Sequence, residues 1–424
     1  MSMKKYMNKL LYLLRDVMLL VFNTILPERT KENIRQWVYN LCYKKYPIIK
    51  RPDQELNLYC HINDARWETA YLPEIYGIAK EREITCAWPE ENFFLIKNAV
   101  VCYDSDIVIT PKGVYWSKYN EDDFTSGALP YDRNLKSFNK DYIFIKPNKK
   151  KVFIKGRTLS LIGKFSYYWS HFLFEFICKM YYAGELGLFN TPINILTDKT
   201  NDNNIEELIN TYLAKYPNVQ RINVLKNVDY QCEELLCMRE TGSNYNEMKF
   251  TLLHRFTVPN SVTSMLQKYI SNPYTNKLRR DGAFHKKLFL SRHGKSLVNG
   301  RTLRNIEEVE NYFKEQGFYF VEGAELSLAE KAELFFHAEY IVGLHGSAWQ
   351  NTIFCKDAKC LQITNHRYVE ESIFYTLSKN NVKRWINVTG IDDNAFRNSD
   401  FYIPLGKIIA AYDLLLNDSD NKPL

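Results

Sequence analysis

Along the C-terminal part of the chain, short apolar runs alternate with amphipathic stretches. KKLFLS, FYFV, YIVG, KCLQIT and KRWINVT read as strands, and short apolar runs bounded by turn residues are what a buried parallel sheet requires. Between them, NIEEVENYFKEQG, SLAEKAELFFHA, SAWQNTIF and YVEESIFYTLSKN read as helices. Gly317 stops the first of these, and Ser327 with Glu330 three residues on caps the second. Regular alternation of this kind specifies a doubly wound parallel sheet with helices on both faces. Such sheets bind ligands beyond the carboxyl ends of their strands.

Upstream, from about 55 to 265, strand-like runs and helices are mixed. NFFLIKNAVVCYD, DIVITPKGVYW and DYIFIKPNKKKVFIKG read as strands and hairpins, with Pro and Gly marking turns. YYWSHFLFEFICKMYYAGELG reads as a buried helix, followed by the strand INILTD, the helix NIEELINTYLAKYP and the strand QRINVL. The first 50 residues hold two apolar pieces split by Arg15 and Asp16, neither near the ~20 residues of a spanning helix. At helical spacing Met7, Leu11, Leu14, Met18, Val21 and Ile25 share one face, with lysines clustered at the start. A helix on the protein's own surface and an interfacial helix on an anionic leaflet both fit this pattern.

Composition narrows the class. With 424 residues, 46% of them apolar and 25% charged, the chain is globular and long enough for two or three domains. Lys and Arg exceed Asp and Glu by 56 to 49. That mild excess suits phosphorylated ligands or an anionic membrane surface and is no nucleic-acid footprint. Nine scattered cysteines show no CxxC knuckle, which argues for reduced, mostly buried thiols.

The chemistry concentrates at IVGLHGSAWQNTIF. His345, Gly346 and Ser347 stand between a buried strand and a helix start, where backbone N–H groups face an anion. Three other signals carry less. HGKS, His293 to Ser296, has Phe289 where a P-loop needs Gly. The DSD triplet Asp104 to Asp106 lies where a plain turn is expected, and no metal site is assigned to it. NVT at Asn387 is a glycosylation sequon that matters only in a secreted chain. In the basic, aromatic stretch KSFNKDYIFIKPNKKKVFIKGR, a solvated hairpin face is the plainer reading, and binding of an anionic glycan or lipid phosphate the other.

The run from FLSRHGKS to HGSAWQNTIF resembles glycosyltransferase family 61, whose pattern is a strand ending in Ser-Arg, an Arg and Asn at the next helix start, and a later His-Gly turn followed by Asn. The matching positions are Ser291, Arg292, Arg301, Asn305, His345, Gly346 and Asn351. SHFLFEF resembles a further family motif, with His171 at its His and Glu175 at its acid. The resemblance covers roughly 165–370. The chain departs from the pattern at Ser347-Ala348-Trp349, at Glu175 where Asp is commoner, and at Gln362 where an acid is expected.

What the resemblance implies is an α/β fold of the GT-B kind, with two Rossmann-like domains facing a cleft. The expected layout is an N-terminal helical segment (1–50), an acceptor-binding domain (51–270), a nucleotide-sugar-binding domain (271–400) and a C-terminal helix (401–424) packing back on the first domain. The implied activity is inverting transfer from a nucleotide-diphosphate sugar, UDP being the expected nucleotide, to a glycan or lipid-linked acceptor. No cofactor and no metal are expected, because Arg and helix N–H groups take the place of a cation at the leaving diphosphate. Arg292, at a strand end, suits two phosphate oxygens; Ser291, Arg301, Asn305, Glu325, His345, Gly346, Ser347 and Asn351 would complete the donor site. Asn305 could equally cap its helix, and Glu325 could reach the ribose or remain in solvent. His171 and Glu175, four apart on one helix face, would supply the base, with histidine's ordinary pKa of about 6.5 suited to the task. With no export signal recognisable, the expected place is the cytoplasm, on the inner face of a bacterial plasma membrane, in capsule or lipopolysaccharide synthesis.

Three rivals are open at this point. A dinucleotide-dependent oxidoreductase would need a GxGxxG after a strand, and none is present. A non-catalytic nucleotide-sugar or glycan-binding subunit would bind donor without turning it over. A membrane scaffold would bind no nucleotide.

Overall fold

The structure, a computed structural model, describes residues 30, 43–50, 52–78, 83–88, 90–116, 135–238, 257–278, 283–292, 301–322, 326–369, 373–393 and 399–417. The N-terminal helix expected within residues 1–50 lies almost entirely outside them, and Glu325 lies outside them altogether. No helix among the described residues is long and apolar enough to cross a membrane.

Two sheets dominate a mixed α/β architecture. The C-terminal one has six parallel strands in the order Tyr319–Val321, Lys287–Leu290, Tyr340–Leu344, Ala358–Thr364, Val382–Thr389 and Glu74–Ile75. Its first five strands are the five apolar runs of the sequence. The sixth comes from far upstream: Arg384 grips Glu74 through two hydrogen bonds of 2.9 Å, fixing Glu74–Ile75 to the edge. The first sheet has eight strands. Val219–Val224, Ile193–Asp198, Lys150–Ser160 and Val228–Met238 run parallel, and Glu91–Cys102, Asn57–Asn63, Ile107–Ile109 and Val114–Trp116 add antiparallel strands. Only its parallel half has the expected strand–helix–strand order.

The helix expected after residue 167 runs from Trp169 to Glu185 and is the hinge of the whole arrangement. Phe172, Leu173, Phe176, Ile177 and Met180 are almost wholly buried. They join Phe93, Leu159 and Leu236 of the first sheet to Leu288, Leu290, Ile341, Trp349 and Phe354 of the second in one apolar cluster. Each such side chain contributes about 1.5–3 kcal/mol, so the two sheets share a core. Residues Phe172–Phe176 form a π-helical turn, a widening that occurs mostly at functional sites. Gly163 packs against this turn so closely that a Cβ there would fall 2.1 Å from the Phe176 ring.

The C-terminal helix forms as expected, over Leu405–Leu416. It does not return to the first domain: Ile408, Ala411, Tyr412 and Leu415 bury against Leu361, Ile363, Ile386 and Val388 of the six-stranded sheet. Lys359 Nζ and Arg384 then donate to its last carbonyls at 3.3 and 3.0 Å. SAWQNTIF, read as an ordinary helix, is a 3₁₀ helix over Ser347–Phe354. Trp349 is fully buried and donates its indole N–H back to the Leu344 carbonyl at 3.0 Å, which tightens the turn. Asn387 of the sequon is buried within its strand and donates to the Val369 carbonyl. The eight described cysteines are all free thiols.

Asp104 to Asp106 is more than the plain turn expected. Asp104 accepts from Lys164 Nζ at 2.8 Å and from the Phe165 N–H at 3.0 Å, and Asp106 accepts from the Lys164 N–H. Asp198, at the end of its strand, accepts from the Asp104 N–H and from Ser166 Oγ through Oδ2, while Oδ1 has no partner among the described residues. Burial first, then the charges of Asp104 and Asp106, push the Asp198 carboxyl up to about 8, against the opposing hydrogen bonds. It is therefore largely protonated at neutral pH, with Oδ1 the atom free to carry the proton. The folded state holds this proton where the unfolded chain, with a carboxyl near 3.9, does not. The contribution is full below about pH 4 and is lost as pH rises through about 8. Asp198→Asn removes it, so the melting temperature of the variant relative to wild type is expected to climb between pH 5 and pH 9 (about the window between the two pKa values). A difference independent of pH would show that Asp198 is not protonated in the fold.

Candidate functional site

The site is built at the carboxyl ends of the C-terminal strands. Strand Lys287–Leu290 ends at Ser291 and Arg292, and strand Tyr340–Leu344 ends at His345. Gly343 is forced by packing, since a Cβ there would lie 2.6 Å from Leu290 Cβ and 2.7 Å from the Leu290 carbonyl oxygen. The two strand ends are thus pressed together, and Arg292 donates to the His345 carbonyl at 3.0 Å. Gly346 faces the Arg292 side chain, where a Cβ would sit 3.4 Å from Cδ.

His345 is buried, with its backbone N–H bonded to the Ile363 carbonyl at 2.8 Å. Gln362 donates its side-chain amide to Nδ1 at 3.0 Å, which puts the ring proton on Nε2. The amide thus does the orienting work for which the sequence had led us to expect an acid. The imidazole lies 4.6 Å from the Tyr368 ring and 5.4 Å from Phe374. Arg301 covers the Tyr368 ring at 4.9 Å. Its φ of 68° is a conformation bulky residues rarely adopt, held by the Thr302 N–H on Asp400 and by the bridge from Leu303 to Phe401.

Two guanidinium groups therefore share a partly buried corner. Burial, and then the charge of Arg301, bring Arg292 down to about 10, so it remains cationic at neutral pH. An anion placed between them relieves the repulsion and repays the desolvation. The 3₁₀ helix beginning at Ser347 adds N–H groups from its first turn. Ser291 Oγ, Arg301 Nε and Asn351 Oδ1 are buried without a hydrogen-bond partner among the described residues, polar capacity that the protein leaves unused. Asn305 stands apart in its bonding: its amide donates to Glu308 and to the Ile403 carbonyl, tying down the helix start.

On the other side, His171 Nδ1 and Glu175 Oε1 are 2.6 Å apart across the π turn. Glu175 is buried, while the His171 side chain is about one-third exposed, at 36%. The pair anticipated from the sequence is therefore formed, with Nε2 of His171 the ring nitrogen outside the bond. What joins the two halves is Gln350, fully buried, whose amide donates to the Ser170 carbonyl at 3.0 Å. Gln350 lies in the helix that follows His345, and Ser170 precedes His171. Sequence reasoning passed over Gln350 and Tyr368; Gln350 lies inside the His345 motif without being one of its matched positions, and it meets its partner 180 residues away.

This geometry, an arginine-lined corner and a His–carboxylate pair on elements tied by the Gln350–Ser170 bond, coincides with a family assignment. The sequence model of the glycosyltransferase 61 family matches residues 169–361, a span that begins beside His171 and takes in Arg292, Arg301 and His345. No curated protein matches the chain. Residues 169–361 are a glycosyltransferase 61 domain, and the protein that carries it is a glycosyltransferase.

Proposed function

We propose that the protein is an inverting glycosyltransferase of the GT-B kind that binds the diphosphate of a nucleotide sugar, UDP-linked, at the Arg292–Arg301–His345 corner. The observation that carries this reading is the half-buried Arg292 guanidinium packed against the Gly346 turn, with the charge of Arg301 acting on it. Arg292 and Arg301 would hold the phosphate oxygens, with Ser291, Gly346, Ser347 and Asn351 supplying further polar contacts and His345 Nε2–H donating to a diphosphate or sugar oxygen. As the bond from the anomeric carbon to the diphosphate breaks, its electron pair goes to the leaving group. Fixed cations and N–H donors stabilise that growing charge more than they stabilise the bound donor. This stabilisation comes from the protein's own cations and makes the reaction independent of a metal.

The acceptor, a glycan or lipid-linked saccharide, would enter from the His171 side. Its hydroxyl oxygen forms the new bond to the anomeric carbon from the face opposite the diphosphate, and its proton passes to His171 Nε2. Glu175 holds the imidazole through Nδ1 and balances the imidazolium. The all-parallel second sheet and the parallel half of the first support the GT-B reading. The resemblance supports a setting in bacterial capsule or lipopolysaccharide synthesis, and the basic balance of 56 to 49 and the N-terminal lysines support attachment to an anionic inner leaflet.

Two variants test the division of labour in a transfer assay. Arg292→Ala should raise the donor KM by roughly tenfold or more, the range for a lost charge-assisted bond. His171→Ala should lower kcat by about 10²–10⁴ while nucleotide affinity stays unchanged. Normal transfer by His171→Ala would make the His171–Glu175 pair structural, and an unchanged donor KM would remove Arg292 from the clamp. Membrane attachment is tested by co-sedimentation with phosphatidylglycerol vesicles. Deleting residues 1–27 should abolish sedimentation, and persistent sedimentation would contradict the assignment.

A further inference from the structure

Residues 163–168 link the strand Lys150–Ser160 to the helix that carries His171, and this link is anchored far more firmly than a surface connection requires. Phe165 has φ 68°, a left-handed conformation that a bulky side chain adopts only when its surroundings impose it. Here they do. The N–H groups of Lys164 and Phe165 are held by the buried carboxylates of Asp106 and Asp104, and Ser166 Oγ donates to Asp198 at 2.6 Å. Thr200 Oγ1 donates to the Tyr167 carbonyl at 3.0 Å.

What this anchoring presents is a row of aromatic rings leading away from the base. The Phe165 ring lies 5.0 Å from the His171 imidazole and 6.0 Å from the Tyr168 ring. Tyr168 lies 4.5 Å from Tyr167, which in turn stacks on Tyr103 at 5.5 Å. Tyr168 is 53% exposed although its neighbours Trp169 and Ser166 are buried. Tyr168 is thus a large ring packed on Phe165 and Tyr167 on one side and open to solvent on the other, with Phe165 between it and the His171 imidazole. The C–H face of a pyranose is the apolar surface of an otherwise polar ligand, and a rigid aromatic face is its complement.

We propose that Tyr168 and Phe165 form the acceptor subsite: the accepting sugar lays its C–H face against these rings and turns a hydroxyl toward His171. The inference rests on His171 acting as the base, and it assigns the substrate class on that side of the cleft as a pyranose glycoside. A lipid chain would be held by hydrophobic area alone, without regard to ring face. The shelf lies just ahead of the matched residues 169–361.

The test is saturation-transfer NMR on the full chain with UDP and the methyl glycosides of glucose, galactose and mannose. Wild type should saturate the ring C–H protons of at least one glycoside. Tyr168→Ala should reduce that signal at least fivefold, Tyr168→Phe should retain it, and both variants should keep the wild-type signal from UDP. Glycoside contact undiminished in Tyr168→Ala, equal loss in Tyr168→Phe, or no contact between wild type and any glycoside overturns the subsite. Loss of the UDP signal in wild type overturns the donor reading instead, and the glycoside signal still decides the subsite by itself. Thermal melts of both variants, expected to match wild type because the ring is exposed, exclude unfolding as the cause.

Discussion

The amide of Gln350 has been taken fully out of water and bonded to the carbonyl of Ser170. A buried polar group without a partner costs about 1–3 kcal/mol, so this bond fixes how the helix from Trp169 meets the helix after His345. Two positions follow from it. His171 lies one residue beyond Ser170 on one side of the bond, and the Gly346 turn lies four residues before Gln350 on the other. Around the bond, Phe172, Phe176, Trp349 and Phe354 exclude water in a shared cluster, which strengthens it. Chemistry on two sheets becomes one site because these elements cannot slide independently.

The two sides of this join are electrostatically different. On the second-sheet side, Arg292 stays cationic although partly buried, beside the charge of Arg301, which favours an anion. On the first-sheet side the carboxylates are occupied with the protein itself: Asp104 with Lys164, Asp198 with its own proton, Glu175 with His171. That arrangement spends the carboxylates on holding Lys164, Phe165 and His171 in place. An anionic leaving group and a neutral hydroxyl nucleophile ask for different surroundings, and the proposed reaction would use the two sides for them.

How much of this was legible in the sequence depended on distance along the chain. The five C-terminal strands and the capped helix Leu328–Phe336 were plain, because parallel strands buried on both faces write themselves as apolar runs and a capping box is local. His171 and Glu175 were legible for the same reason, as a pair within one helical turn. Glu74–Ile75 was not, since two residues carry no periodicity and their partners lie more than 300 positions away. The Asp104–Lys164 pair, 60 residues apart, hid a buried network behind a triplet that looked like a turn. The C-terminal helix showed its apolar face but not the sheet that would cover it, and the wrong sheet was expected. Gln350 and Tyr368 carried no signal, because their role is set entirely by what folds against them.

The central claim is that the turn at His345 to Ser347, with Arg292 and Arg301, is an anion site for a nucleoside diphosphate. Calorimetric titration of the protein with UDP, and with ADP, GDP and CDP for comparison, tests it most directly when repeated on His345→Ala. The account predicts saturable binding of one nucleoside diphosphate by the wild type, with affinity lowered about tenfold or more by the loss of the imidazole donor. Binding of none of the four, or equal binding by His345→Ala, would leave His345 a structural turn residue and contradict the assignment.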